Sequence, residues 1–178
     1  MRLAPVEAWM QKQIAAWRVE ARETLRTPGL WPLERQEAWF RNVVCNPESR
    51  HRYFALVAEE HGDSLVGVGG LVNIEWENRR AEISLLLDPQ WRRQGLGWRG
   101  ALLLYDEAFE MMGLNSVWGE CYLSNEAGVK LWSGIVEQYG GQAVTMLNTQ
   151  WRRGKWWGSM LFAVTQREYM NKRAKEHV

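Results

Sequence analysis

The segment from Ile83 to Met112 constrains this chain more than any other. An apolar stretch, Ile83 to Leu87, leads into Arg92-Arg93-Gln94-Gly95-Leu96-Gly97, and a helical pattern follows to about Met112. A strand that feeds a short loop and then a helix must pack the helix back onto a sheet, so helices and strands share one core. The loop is also a device for holding a pyrophosphate. Its glycines let backbone approach a ligand with no side chain in the way. The first helical N–H groups have no intrahelical partner and carry the positive end of the helix dipole. Arg92 and Arg93 add charge at the lip. Function is therefore sought at this loop.

The pattern around it is regular. Apolar residues at 101, 104, 105, 108 and 112 make one buried helical stripe. Gly113 suits a left-handed cap, with Leu114 as its apolar contact. Upstream, Met1 to Ala4 reads as an edge strand and Val6 to about Arg26 as a helix broken by Thr27-Pro28-Gly29. Pro32 to Val44 reads as a second helix, with the proline in its first turn. Strands are expected over Arg52 to Glu59 and Leu65 to Trp76, then over residues 81–87. Ser116 to Leu123 is a strand, Asn125 to about Gln138 a helix ended by Gly140-Gly141. Ala143 to Gln150 and Lys155 to Thr165 form a hairpin, and the polar tail from Gln166 is expected to fray.

At 178 residues the chain is read as a single domain, 1–178. Its 22 basic and 21 acidic side chains nearly cancel, which argues against a dedicated nucleic-acid binder. Cys45 and Cys121 lack metal-ligand spacing, so no metal is expected. No apolar run reaches the ~18 residues of a membrane span, and no signal pattern opens the chain. A reducing, cytoplasmic setting is the expectation. Of the twelve tryptophans, most are assigned to the core and some to a surface that meets a partner. A homodimer is among the candidate assemblies.

The loop matches neither a P-loop, whose Gly-Lys-Ser/Thr ending is missing, nor the three-glycine dinucleotide fingerprint. It resembles the Arg/Gln-x-x-Gly-x-Gly/Ala loop of the GNAT superfamily of acetyl-coenzyme A-dependent N-acetyltransferases. The match extends from Ala81 through Trp91 and the loop to Tyr105. A second match lies at Glu120-Cys121-Tyr122-Leu123-Ser124-Asn125-Glu126-Ala127, and together they cover about residues 65 to 141. The resemblance implies an α+β fold: a mixed, mostly antiparallel twisted sheet of about six to seven strands flanked by helices, with acetyl-CoA in a splay between two central parallel strands. It implies that main-chain groups at Leu85, Leu86 and Leu87 pair with the pantetheine arm like an added strand. One of their N–H groups would face the thioester oxygen. Main-chain N–H groups at Arg93, Gln94, Gly95, Leu96, Gly97 and Trp98, with Arg92 beside them, would hold the pyrophosphate. Asn125 would contact the pantetheine or phosphate region, and would equally serve as a helix N-cap.

Acetyl transfer to an amine needs a base, because an alkyl ammonium with a pKa of about 10.4 must lose a proton before it attacks. Two carboxylates are candidates. Glu82 is similar to the base position of the histone-acetylating branch, and Glu120 to that of the branch acting on ribosomal-protein N-termini. On strands, Glu82 shares a face with Ser84, and Glu120 with Tyr122 and Ser124. Cys121 should point away from the Glu120 face, which removes it as a nucleophile. The family often places a tyrosine seven residues after the asparagine to protonate the leaving thiolate, but here Trp132 stands there. Tyr122 and Tyr139 are the remaining acid candidates, each with packing as the plainer role. A thiolate with a pKa near 8.5 also leaves unassisted.

The expected function is transfer of an acetyl group from acetyl-CoA to a primary amine in a ternary complex. The acceptor is a small-molecule amine, an amino sugar or a protein amine, entering between residues 6–45 and the closing hairpin. Glu75 and Glu77 would suit a cationic acceptor if they face the cleft. The alternative is a non-catalytic acetyl-CoA-binding module that engages a protein or nucleic acid, which Trp132 favours.

Overall fold

The computed structural model describes residues 1–27 and 29–176. Its strands are β1 (Arg2–Pro5), β2 (Arg52–Ala58), β3 (Ser64–Glu75), β4 (Arg80–Leu87), β5 (Ser116–Tyr122), β6 (Gln142–Arg152) and β7 (Lys155–Thr165). The α-helices are α1 (Gln11–Glu20), α2 (Leu33–Trp39), α3 (Leu96–Asp106), α4 (Glu126–Tyr139) and α5 (Gln166–Glu176). The strands hydrogen-bond in the order β1-β2-β3-β4-β5-β7-β6. Pairs β1–β2, β2–β3, β5–β7 and β6–β7 are antiparallel, whereas β4–β5 is parallel. This is the mixed, mostly antiparallel seven-stranded sheet expected of the fold.

Contacts divide the chain into two compact units. One holds residues 1–74 and 83–106, the other residues 75–82 and 107 onward. Strand β4 belongs to both: Arg80 to Glu82 pair with β5 in the second unit, and Ile83 to Leu87 lie in the first.

In the first unit, Ile14 and Trp17 of α1 join Val6 and Met10 against Ala55 and Val57 of β2 and Leu65 and Val68 of β3. Leu56, Ala58, Val66 and Leu96 form a second cluster. Helix α3 lies close to the sheet because small residues meet it: a Cβ on Gly69 would come within 2.7 Å of Leu104. The helix expected from Val6 to Arg26 is shorter. It begins as a turn of 3₁₀-helix, Ala8–Met10, and α1 ends at Glu20. The Thr24 hydroxyl donates to the Ala21 carbonyl at 2.9 Å, the competition with helix continuation that threonine offers. Pro32 is the N-cap of α2 rather than a first-turn residue, and the helix continues as a π-turn, Phe40–Val44.

In the second unit, the helix begun by α3 runs on as a π-turn, Glu107–Met111, and Gly113 takes the expected left-handed conformation (φ 62°). Gly140 (φ 80°) closes α4 in the same way. The tail expected to fray from Gln166 is instead α5. Tyr169 anchors it, fully buried, with ring centroids 5.4 Å from Phe109 and 4.7 Å from Tyr139. Glu168 accepts from the Thr165 N–H and hydroxyl, capping the start of the helix.

The tryptophans also depart from expectation. Trp17 and Trp132 are the buried ones, Trp9, Trp76, Trp151 and Trp156 are exposed, and the other six are half-buried. An indole has a polar edge, so it settles readily at the rim of a core.

Candidate active site

The loop expected to hold the coenzyme, Arg92 to Gly97, lies within the first unit. At the end of β4, Asp88 is buried and fixes the turn: its carboxylate accepts from the Gln90 N–H (3.0 Å) and side chain (2.9 Å). The Asp88 N–H donates to the Val66 carbonyl at 3.0 Å, tying the turn to β3. Arg93 (φ 62°) and Gly95 (φ 77°) are both left-handed, which curls the backbone before α3 starts at Leu96. A Cβ on Gly95 would meet nothing within 4 Å, so the glycine leaves open space in front of the helix mouth. The first turn-closing bond runs from the Arg99 N–H to the Gly95 carbonyl. The N–H groups ahead of it are those a helix start leaves for an anion. Arg92, Arg93 and Gln94 are exposed beside them. Arg99 is turned to Glu60; a backbone hydrogen bond, and then this contact, lower the Glu60 carboxyl to about 2.

Leu85 and Leu86, expected along the pantetheine, line a cavity of about 220 Å³ inside the same unit. Sequence reasoning missed this cavity, although its walls draw on the residues 6–45 beside which the acceptor was expected to enter. Its walls bring together Arg18 of α1, Trp31, Gln36 and Trp39 around α2, and Tyr53 of β2. The Arg18 guanidinium sits 4.2 Å from the centre of the Trp31 ring and donates to the Thr27 hydroxyl at 2.9 Å. Trp39 meets Tyr53 edge-on at 5.0 Å. Burial raises the Tyr53 hydroxyl above its ordinary pKa, against the opposing influence of its hydrogen bond with Trp39 and then of the Arg18 charge. No local pattern marks the cavity, because its wall residues are far apart in the chain.

The two carboxylates lie in the second unit. In the parallel ladder Glu82 is opposite Trp118, and Glu120 follows two residues on, so both project from one face of the sheet. By strand geometry their Cα atoms are about 8 Å apart. Glu82 is 2% exposed, whereas Glu120 is half-buried and Tyr122 shares its face. The Arg152 guanidinium lies 5.7 Å from the Tyr122 ring centre. Cys121 occupies the opposite, buried face, where burial and then the Glu120 charge push its thiol up to about 11. Its side chain turns away from the Glu120 face, as strand alternation predicts. Asn125 caps α4, its side chain accepting from the Gly128 N–H at 3.0 Å. Trp132 is stacked on Phe162 at 4.8 Å, and Tyr139 is fully buried, its hydroxyl accepting from Gln138 at 3.2 Å. Glu75 is engaged by Arg80 and Asn78 within its own turn, and neither it nor Glu77 lines the cavity.

Among the described residues, no cluster of three or more His, Cys, Asp or Glu side chains could hold a metal ion, and no helix is long and apolar enough to cross a membrane.

The fold is similar to that of spermidine N-acetyltransferases. A variant of the Vibrio cholerae enzyme superposes with a TM-score of 0.81 at 16% identity, covering 97% of this chain and 99% of that chain. A spermidine/spermine N-acetyltransferase of Vibrio cholerae solved with manganese gives 0.77 at 15%, covering 95% and 94%. A dodecameric form of the spermidine enzyme of that organism gives 0.77 at 16%, covering 96% and 95%. No curated protein sequence is a significant match. The family model described as an acetyltransferase (GNAT) domain matches residues 3–133, most of the chain. A glycine loop at a helix mouth, the sheet order and this match agree, and the protein belongs to the GNAT acetyltransferases.

Proposed function

We propose that the protein moves the acetyl group of acetyl-CoA to a primary amine by direct attack while both are bound. The observation that carries this reading is the loop from Arg92 to Gly97, with left-handed Arg93 and Gly95 leaving the mouth of α3 bare. N–H groups from Arg93 to Trp98 hold the pyrophosphate, and main-chain groups of Leu85, Leu86 and Leu87 align the pantetheine. One of these last N–H groups stabilises the oxyanion. Asn125 adds a contact to the coenzyme beyond its capping role.

In the reaction the neutral amine nitrogen bonds to the thioester carbon, the tetrahedral intermediate collapses and the carbon–sulfur bond breaks. The amine's surplus proton passes to a carboxylate, directly or through water. Glu120, on the more open part of its face, is the first candidate and Glu82 the second. Coenzyme A leaves as a thiolate and takes up a proton, with Tyr122 as the candidate donor. Tyr139, enclosed by Tyr169, acts by packing. That structural neighbours are spermidine acetyltransferases supports an amine as acceptor.

Calorimetry with acetyl-CoA and thiol release over an amine panel test the reading. Gly95→Glu should weaken coenzyme binding at least tenfold. Glu120→Gln should lower kcat by ~10²–10⁴ while leaving coenzyme affinity intact. Coenzyme binding unaffected by Gly95→Glu, or turnover undiminished in both Glu120→Gln and Glu82→Gln, would overturn the respective assignments.

A further inference from the structure

The cavity in the first unit has one charged wall. Arg18 is the sole charged side chain among its described lining residues, and no acidic side chain is among them. Among the described residues no carboxylate lies within ion-pair distance of Arg18, and its polar partner is the Thr27 hydroxyl. Arg35 approaches the same Trp31 ring, its guanidinium 4.1 Å from the ring centre, so positive charge is reinforced there. Burial lowers the Arg18 pKa, with Tyr53 opposing that shift and the nearby Arg35 charge adding to it.

An independent observation concerns Gln36. It is 2% exposed, lines the cavity, and its side-chain nitrogen has no hydrogen-bond partner. An unmet buried amide is costly and calls for an explanation. A guanidinium and an amide N–H on one cavity wall are donors, and together they match a carboxylate. The rings of Trp31, Trp39 and Tyr53 supply flat apolar area for the body of a ligand. Leu85 and Leu86 form another part of the wall, so a ligand anchored at Arg18 has its other end beside the strand assigned to the thioester.

We infer that the acceptor is an amine bearing a carboxylate, held through that carboxylate by Arg18 and Gln36, and not a polycation such as spermidine. This rests on the acetyl-transfer reading above and specifies its substrate class. A polyamine would bring surplus positive charge to a wall that is already positive. An acid with an apolar or aromatic body satisfies both donors, and its free amine can reach the reacting carbon.

The test measures thiol release with acetyl-CoA and three acids of different reach: phenylalanine, 4-(aminomethyl)benzoic acid and 6-aminohexanoic acid. Each is compared with its primary amide, and spermidine is run alongside. At least one acid should exceed its amide tenfold or more in kcat/KM and exceed spermidine. Arg18→Gln should erase that ratio, and Arg18→Glu should turn the preference toward spermidine. The inference is overturned if the amides or spermidine are the better substrates, or if the acid preference survives Arg18→Gln. Calorimetry with N-acetylated acid and amide products provides a second readout independent of turnover. Selective binding of the acetylated acid that is lost in Arg18→Gln supports the inference, and equal binding of the two overturns it. Loss of the acetyl-transfer reading itself looks different: no heat on titration with acetyl-CoA, which would remove this inference along with its foundation.

Discussion

Aromatic side chains do opposite work in the two units. In the second, Trp132 stacks on Phe162 at 4.8 Å, and Phe109, Tyr169 and Tyr139 form a closed series of rings. In the first, Trp31, Trp39 and Tyr53 stand around about 220 Å³ of open space with an arginine and an unmet amide on its wall. Rings that fill a core contribute through dispersion and burial. Rings that bound a space leave part of that stabilisation unrealised until something enters. The difference marks where the first unit leaves room that the second unit fills with side chains.

The sharpest way to break this contrast is truncation of a ring on each side. Trp132→Ala should cost ~3–5 kcal/mol, the usual loss for a large buried aromatic, read as a drop in Tm or in the urea midpoint. Trp31→Ala should cost much less, since its ring is half-buried and already borders a void. Equal losses would erase the distinction. Gly119→Ala comes next. Its added Cβ would run into the Phe162 ring, and overpacking there should cost about 1–3 kcal/mol.

Gln36→Leu should go the other way. Replacing an unpartnered buried amide with an apolar group of similar size should raise stability by about 1 kcal/mol, measured by denaturant titration. A destabilised Gln36→Leu would mean the amide already has its partner, which would blunt the contrast. The smallest effect concerns Glu60, which is exposed. Its folded carboxyl at about 2 lies below the 4.5 of an unperturbed glutamate. The contribution is therefore present above pH 4.5 and is lost as pH falls from there through about 2. Glu60→Gln should fall slightly below the parent at neutral pH, by less than any variant above, and converge with it as pH falls through about 2.

The strand-loop-helix segment was legible from sequence because its signals are local. Gly95, Gly113 and Gly140 each occupy the left-handed backbone that glycine permits, and Asn125 caps the helix it precedes. The shared face of Glu82 and Glu120 followed from alternation once β4 and β5 were neighbours. Less was legible where distant residues decide. The polar α5 shows little periodicity and is held by one tyrosine meeting rings from residues 109 and 139. The cavity draws its walls from α1, α2, β2, β3 and β4, so no local pattern announces it. Glu75 and Glu77 had suggested a cationic guest, but charge near a site in sequence is not charge inside it.

Gly95 has a consequence for how variants of this protein would behave in a cell. Nothing surrounds its missing side chain, so a replacement there meets only the modest torsional penalty of a left-handed residue and no collision. On the proposed reading, Gly95→Glu chains should accumulate to ordinary levels and resist proteolysis like the parent while binding coenzyme at least tenfold more weakly. Screens that score abundance would pass them as healthy, and only a measurement of output would reveal the defect.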